Sequence, residues 1–212
     1  MPETTRQEPY RFEFVGGEAS LDFINTVAGD RRGTPKEHLH GYDDLVAWAR
    51  QGELIGPPQA RALLLRAQRE PAAAAGALAG AVELREALYD IFSARSEGKR
   101  PSQQRLELLN RALAEALAHR RVLQTGRGFS YGWDDSDDLR RMLWPVALSA
   151  AELLAGDHGS PIKVCGMSGE EDGCGWLFVD ESRNGSRRWC SMKDCGNRAK
   201  QRRHYQRSKK LP

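Results

Sequence analysis

Apolar positions along the chain change period several times, and each change marks an element. Residues 10–15, in YRFEFVGG, alternate apolar with polar and run into a glycine pair, which predicts a short strand. In LDFINTVAGD, Leu21, Ile24 and Ala28 recur at helical spacing and Gly29 offers a stop, so one short helix is expected. From Tyr42, Leu45, Trp48 and Ala49 share one helical face, with acids in the first turn and Gly52 at the end. Pro57 and Pro58 open another helix. A long amphipathic run over 72–96 carries Leu78, Val82, Leu88, Ile91 and Phe92 and stops at Gly98; the next helix has Pro101 at its head. At 120–133 the period shortens to that of a hairpin around a glycine-containing turn. Asp137 is expected to cap a further helix through LRRMLWPVALSAAELLAG, in which Pro145 either kinks one helix or separates two. Residues 156–160 read as a linker.

The fold class is therefore mainly α with small β elements (α+β): a helical N-terminal domain over 1–158 and a compact second unit over 161–212. Within the latter, 176–180 reads as a strand, Asn184-Gly185 as a turn and 187–190 as the returning strand, followed by a helix through MKDCGNRAKQRRHYQR.

Composition sharpens this picture in two places. The net charge of +3 conceals a dipole: from Arg183 onward there are 11 Lys and Arg against the single acid Asp194, leaving 21 basic and 28 acidic residues before it. A cationic end on an anionic body suits a polyanionic partner. No run of eighteen apolar residues occurs, which argues against a membrane span. The N-terminus shows neither a basic nor an apolar export region, so a cytoplasmic location with reduced thiols is expected.

The second place is the cysteines. Cys165, Cys174, Cys190 and Cys195 follow 164 residues without a thiol. Four buried structural thiols would be scattered rather than clustered, and two disulfides sit badly with a reducing compartment. A tetrahedral thiolate site for one structural Zn²⁺ per chain accounts for both facts, although the first gap is longer than the commonest ligand spacing. Cys195 falls in the first turn of the last helix, where free N–H groups favour a thiolate, with Met192, Cys195 and Ala199 as the helix's apolar stripe. With all four positions filled by sulfur, no site remains for an activated water.

The block Cys174-Gly175-Trp176-Leu177-Phe178, Asp180, Ser182-Arg183-Asn184-Gly185, Arg188-Trp189-Cys190-Ser191-Met192 and Cys195-Gly196-Asn197-Arg198 resembles the CGNR zinc finger, a treble-clef-like module. Leu21-Asp22-Phe23-Ile24-Asn25-Thr26 is similar to the ABATE domain that precedes this finger in bacterial proteins regarded as stress-induced transcription regulators. The resemblance implies a helical domain that senses a ligand, joined to a zinc-binding domain that contacts DNA.

On that basis the expected partner is double-stranded DNA. Arg183, Arg187, Arg188, Lys193, Arg198, Lys200, Arg202, Arg203 and Arg207 are its candidate contacts, and Arg198, Arg202 or Arg203 the candidates for base edges. A solvated charged face is the plainer alternative for such a run. RNA is less well served, because few rings other than Trp176, Trp189 and Tyr205 accompany the charge. One finger covers little nucleic acid, so a homodimer through the helical body is expected. Asp22, Asn25 and Thr26, at i, i+3 and i+4, could converge on an unknown small-molecule effector or serve as caps and a buried hydrogen-bond network. His38 and His40 fit a solvated loop, and TGRGFSYG fits a hairpin turn better than a phosphate loop. No catalytic set assembles along the chain, so it reads as a non-enzyme. The rival reading is a small-molecule-binding or enzymatic helical domain whose zinc module is purely structural or binds protein.

Overall fold

The computed structural model describes residues 10–31, 33–156, 161–170 and 173–209. Helices α1 (Ala19–Ile24), α2 (Tyr42–Gln51), α3 (Pro57–Arg69), α4 (Pro71–Ser96), α5 (Gln103–Ala118) and α6 (Leu143–Ala155) form the body. α4 is its axis: Ala74, Ala77, Ala81, Leu84, Leu88 and Ile91 recur at three- and four-residue steps and are buried. They meet Trp48 from α2, Leu109 from α5 and Trp144 from α6 in one core. Among the described residues no helix is long and apolar enough to cross a membrane.

Among the described residues three two-stranded antiparallel ribbons accompany these helices: β1 (Val27–Ala28) with β2 (Lys36–Glu37), β3 (Arg120–Thr125) with β4 (Gly128–Trp133), and β5 (Ile162–Val164) with β6 (Leu177–Val179). The expected hairpin at 120–133 forms with a two-residue turn whose first residue, Gly126, has φ +53, a conformation glycine adopts without strain.

Several elements differ from the sequence expectation. Residues 10–15 form no strand: Phe12 is buried, but its N–H goes to the Gln51 side chain instead of a neighbouring strand. α1 ends at Ile24, and Val27 and Ala28 pair with β2. α5 begins at Gln103 with the Ser102 hydroxyl accepting from Arg105 N–H, two residues beyond Pro101. Asp137 does not cap α6, which starts at Leu143, so Pro145 lies in its first turn, where a missing N–H is harmless. Of the expected linker, 157–160 lie outside the described residues.

Residues 187–190 do not return as a strand; the partner of β6 is β5, through Ile162↔Val179, Lys163↔Phe178 and Val164↔Leu177. This pairing directs Trp176 C=O to Cys165 N–H and Asp180 N–H to Pro161 C=O, so the even-numbered residues of the strand face β5. The odd-numbered residues face the body. Gly175 N–H donates to Gly29 C=O (2.9 Å) and Val179 N–H to Gly16 C=O (2.8 Å). Between them Leu177 donates its N–H to Asn25 Oδ1 (3.0 Å) and accepts from Asn25 Nδ2 (2.9 Å). Asn25 thus supplies one donor and one acceptor, as a peptide group would, at the point where α1 has ended. Ile162, Leu177 and Val179 accordingly belong to the body's own core.

Replacing Asn25 by Ala leaves two buried backbone groups of Leu177 without partners. The expected loss is about 2–5 kcal/mol of stability, read in denaturant melts, with faster hydrogen exchange at Leu177 than at α4 amides. Unchanged stability would mean that the clip is dispensable.

Candidate metal centre and basic surface

The four cysteines converge from three pieces of chain. Cys165 follows β5, Cys174 precedes β6, and Cys190 and Cys195 flank the start of a π-helical turn over Met192–Gly196 that leads into α7 (Asn197–Ser208). All are buried free thiols whose sulfurs lie within 4.8 Å of one another. Cys174 to Cys190 and Cys190 to Cys195 are both 3.6 Å. A tetrahedron with metal–sulfur arms of about 2.3 Å has edges of about 3.8 Å, so the set fits zinc.

The crowding also splits the proton affinities of the thiols. Hydrogen bonds from Cys174, Cys190 and Cys195 hold the Cys165 thiol far below its ordinary value, while donation to Cys165, with burial, pushes Cys174 and Cys190 up. Four buried sulfurs competing for protons make a donor set for a soft cation. Arg198 adds a guanidinium nitrogen 3.2 Å from Cys195 Sγ, which compensates part of the negative charge of a four-thiolate site. Cys165, Cys174, Cys190 and Cys195 therefore form one structural zinc site, packed with Met167 and Phe178 and flanked by Val15, Trp176, Trp189 and Ala199. Met192 is not part of this packing; half its surface is exposed.

Asp180 organises the turn that follows β6. Burial alone would raise its carboxyl, but the Lys163 ammonium at 2.6 Å and the Ser182 hydroxyl and N–H hold it well below the usual carboxylate range. It also accepts from Arg187 N–H at 3.0 Å. Gly185, at φ +57, closes this turn.

The basic residues separate into groups. Arg187 turns inward and is withdrawn from the candidate DNA contacts: its guanidinium donates to the carbonyls of Trp189, Val179, Val15 and Cys190 and lies 4.3 Å from the Phe178 ring centre. It locks the finger to residue 15 of the body, a role no spacing in the sequence announces. Arg198 and Arg202, four apart, point to acids: Asp194 at 3.3 Å and Glu170 at 2.9 Å. Arg188 lies over the Trp189 ring. Lys200, Arg203 and Arg207 recur at i, i+3 and i+7 and are exposed on α7, which buries none of its residues; Arg183, Arg188 and Lys193 are exposed on the preceding turns.

Asp22, Asn25 and Thr26 do not converge. Asn25 holds Leu177, and Thr26 donates to Phe23 C=O and accepts from the buried Arg85, which is itself paired with Glu37. Asp22 borders a cavity of about 320 Å³, with Phe14, Glu18, Trp48, Glu53 and Leu54 among its lining residues. Burial pushes the Asp22 carboxyl up to about 6 although Gly16 and Val15 N–H groups hydrogen-bond it. His38 stacks on Tyr10 (4.0 Å) and His40 is exposed, so the two share no site.

Comparison with known families gives two matches. The ABATE model, described as "Putative stress-induced transcription regulator", covers residues 17–157, and the CGNR zinc finger model covers residues 162–208. Among curated proteins none matches the chain.

Purified protein is expected to hold one zinc per chain by elemental analysis, and Cys195→Ser to lose it. Because β6 completes the body's core, metal loss should lower the melting temperature of α4 and α6 as well as that of the finger. Full zinc occupancy in Cys195→Ser would refute the ligand set.

Proposed function

Since the chain belongs to the ABATE family and carries a CGNR zinc finger, we propose that it is a DNA-binding transcription regulator whose helical body senses a small molecule. The observation that carries the DNA half of this reading is the exposed stripe Lys200, Arg203 and Arg207 on a helix rooted in the zinc site. Phosphates are its natural counterpart, since each cation placed on a phosphate releases counterions. Arg198 and Arg202, already paired with acids, are weaker candidates for base edges than Arg203. No catalytic step is assigned to the chain.

The sensing half rests on the cavity beside Asp22. Its lining residues include the aromatic Phe14 and Trp48 and the acidic Asp22, Glu18 and Glu53, a mixture that suits an organic cation. A carboxylate that is uncomfortable at neutral pH gains most from such a ligand. A route to the finger exists: Asp22 accepts Gly16 N–H at 2.7 Å, Gly16 C=O accepts Val179 N–H, and Val15 C=O accepts Arg187. A ligand that drew Asp22 away would loosen residues 15–16 and with them the edge of the finger.

Two outcomes test this reading. Affinity of the zinc-loaded protein for duplex DNA should fall steeply with salt, and replacing Lys200, Arg203 and Arg207 together by Ala should reduce the log–log slope by about 0.9 for each phosphate that is no longer neutralised. Fluorescence anisotropy at several salt concentrations reads this. Truncation at residue 161 is a poor substitute, because it strips Leu177 and Val179 from the body's core. No binding even at low salt would transfer the finger to a protein-binding or purely structural role.

The second outcome concerns pH. Asp22 has a folded pKa near 6, above its ordinary 3.8, so the folded state holds more protons between these values and stability falls as pH rises through that window. The loss through this group amounts to about 3 kcal/mol at most. Comparing wild type with Asp22→Asn across pH 4–7 isolates it: the difference in stability should change over the window, and a parallel pair of curves would show that Asp22 is not perturbed.

A further inference from the structure

The hairpin β3–β4 leaves an apolar surface that the body does not use. Its register places Arg120, Val122, Phe129, Tyr131 and Trp133 on one face. At the base Trp133 meets Trp144 (5.9 Å between centres), and the Arg120 guanidinium lies over both Trp133 and Tyr131. Farther out, Phe129 is 75% exposed, Tyr131 73% and Val122 64%. Among the described residues neither strand is paired with a third.

The backbone says which edge is available for what. Asp134 N–H donates to His119 C=O at 3.0 Å, in register with the strand pairing, so 119/134, 121/132, 123/130 and 125/128 are the pairs that bond inward. Phe129, Tyr131 and Trp133 then direct their N–H and C=O groups outward along the free edge of β4. A second copy of the same strand, antiparallel and centred on Tyr131, satisfies that edge by symmetry, with Tyr131 opposite Tyr131 and Phe129 opposite Trp133 in both directions.

Charge selects the same arrangement. Centring on Tyr131 puts Arg127, at the hairpin tip, opposite Asp135 of the second copy. Asp135 has a fully exposed side chain whose nearest cation, Arg141, is at 4.0 Å. The β3 edge offers no such match, since it carries Arg120 and Arg121 at one end and leads to Arg127 at the other. Across the seam the two Tyr131 rings and the Phe129–Trp133 pairs pack laterally as cross-strand neighbours, and with the strand backbones they make an interface of the weak class, below roughly 1,200 Å².

We infer that the chain forms a two-fold dimer through the β4 edge, joining two hairpins into one four-stranded sheet with reciprocal Arg127–Asp135 ion pairs. Such a dimer sets two fingers on one assembly, yet it stands independently of DNA binding because its test reads mass alone.

The test is analytical ultracentrifugation of the full-length, zinc-loaded protein over a concentration series. Wild type is expected to show a monomer–dimer equilibrium. Tyr131→Asp should abolish it, and Arg127→Asp should weaken it at least about tenfold, while zinc content and circular dichroism stay at wild-type values because both side chains are exposed. The double variant Arg127→Asp/Asp135→Arg should recover association. A strictly monomeric wild type would overturn the proposal, as would a dimer indifferent to Tyr131→Asp. Failure of the charge swap to restore what Arg127→Asp removes would overturn the Tyr131-centred register.

Discussion

The outer edge of β6 is the constraint from which most of this structure follows. A zinc module with a two-stranded ribbon has too little sheet to satisfy its own backbone, and a buried N–H or C=O without a partner costs about 1–3 kcal/mol. The body meets that need with Gly29 C=O, the Asn25 amide and Gly16 C=O, one for each odd-numbered residue from 175 to 179. Once the edge is closed, Leu177 and Val179 complete the helical core, and Arg187 and Trp176 add bonds to the carbonyls of Val15 and Val27. Metal site and helical body therefore share packing and hydrogen bonds even though separate family models cover them.

That union governs how the basic residues are deployed. Positive charge close to the thiolates is bound up: Arg187 in carbonyls, Arg198 between Cys195 and Asp194, Arg202 on Glu170, Lys163 on Asp180. Charge on the other face of α7, at Lys200, Arg203 and Arg207, is left exposed. The first group builds the finger, and the second gives it a surface of one sign. The body's own buried cations are likewise engaged, Arg85 with Glu37 and Arg31 with Glu86.

Much of the architecture was legible because it depends on local period. The Leu84, Leu88 and Ile91 ladder of α4 and the Gly-centred hairpin of 120–133 need only neighbours along the chain to be read. Elements of two or three residues were not legible in that way. Residues 10–15 alternate as a strand should, but Gln51 takes the N–H a strand partner would have had. Residues 187–190 read as a return strand, yet their backbone is organised by Asp180 and the Arg187 side chain while β5 pairs with β6.

By itself the sequence determined the helical class, the charge dipole and the four-sulfur donor set, because residue type and spacing limit what helices can bury and what thiols can bind. Only the tertiary structure decided what each polar residue does with its hydrogen bonds. Asp22, Asn25 and Thr26 are equivalent in helical spacing but serve a cavity wall, a strand edge and a buried arginine. Arg187 and Arg203 are equivalent in charge but differ wholly in exposure and partners. The reason is physical: a polar side chain's role is set by the partners that reach it in space, as Arg85 reaches Thr26 across 59 residues and Leu177 reaches Asn25 across 152.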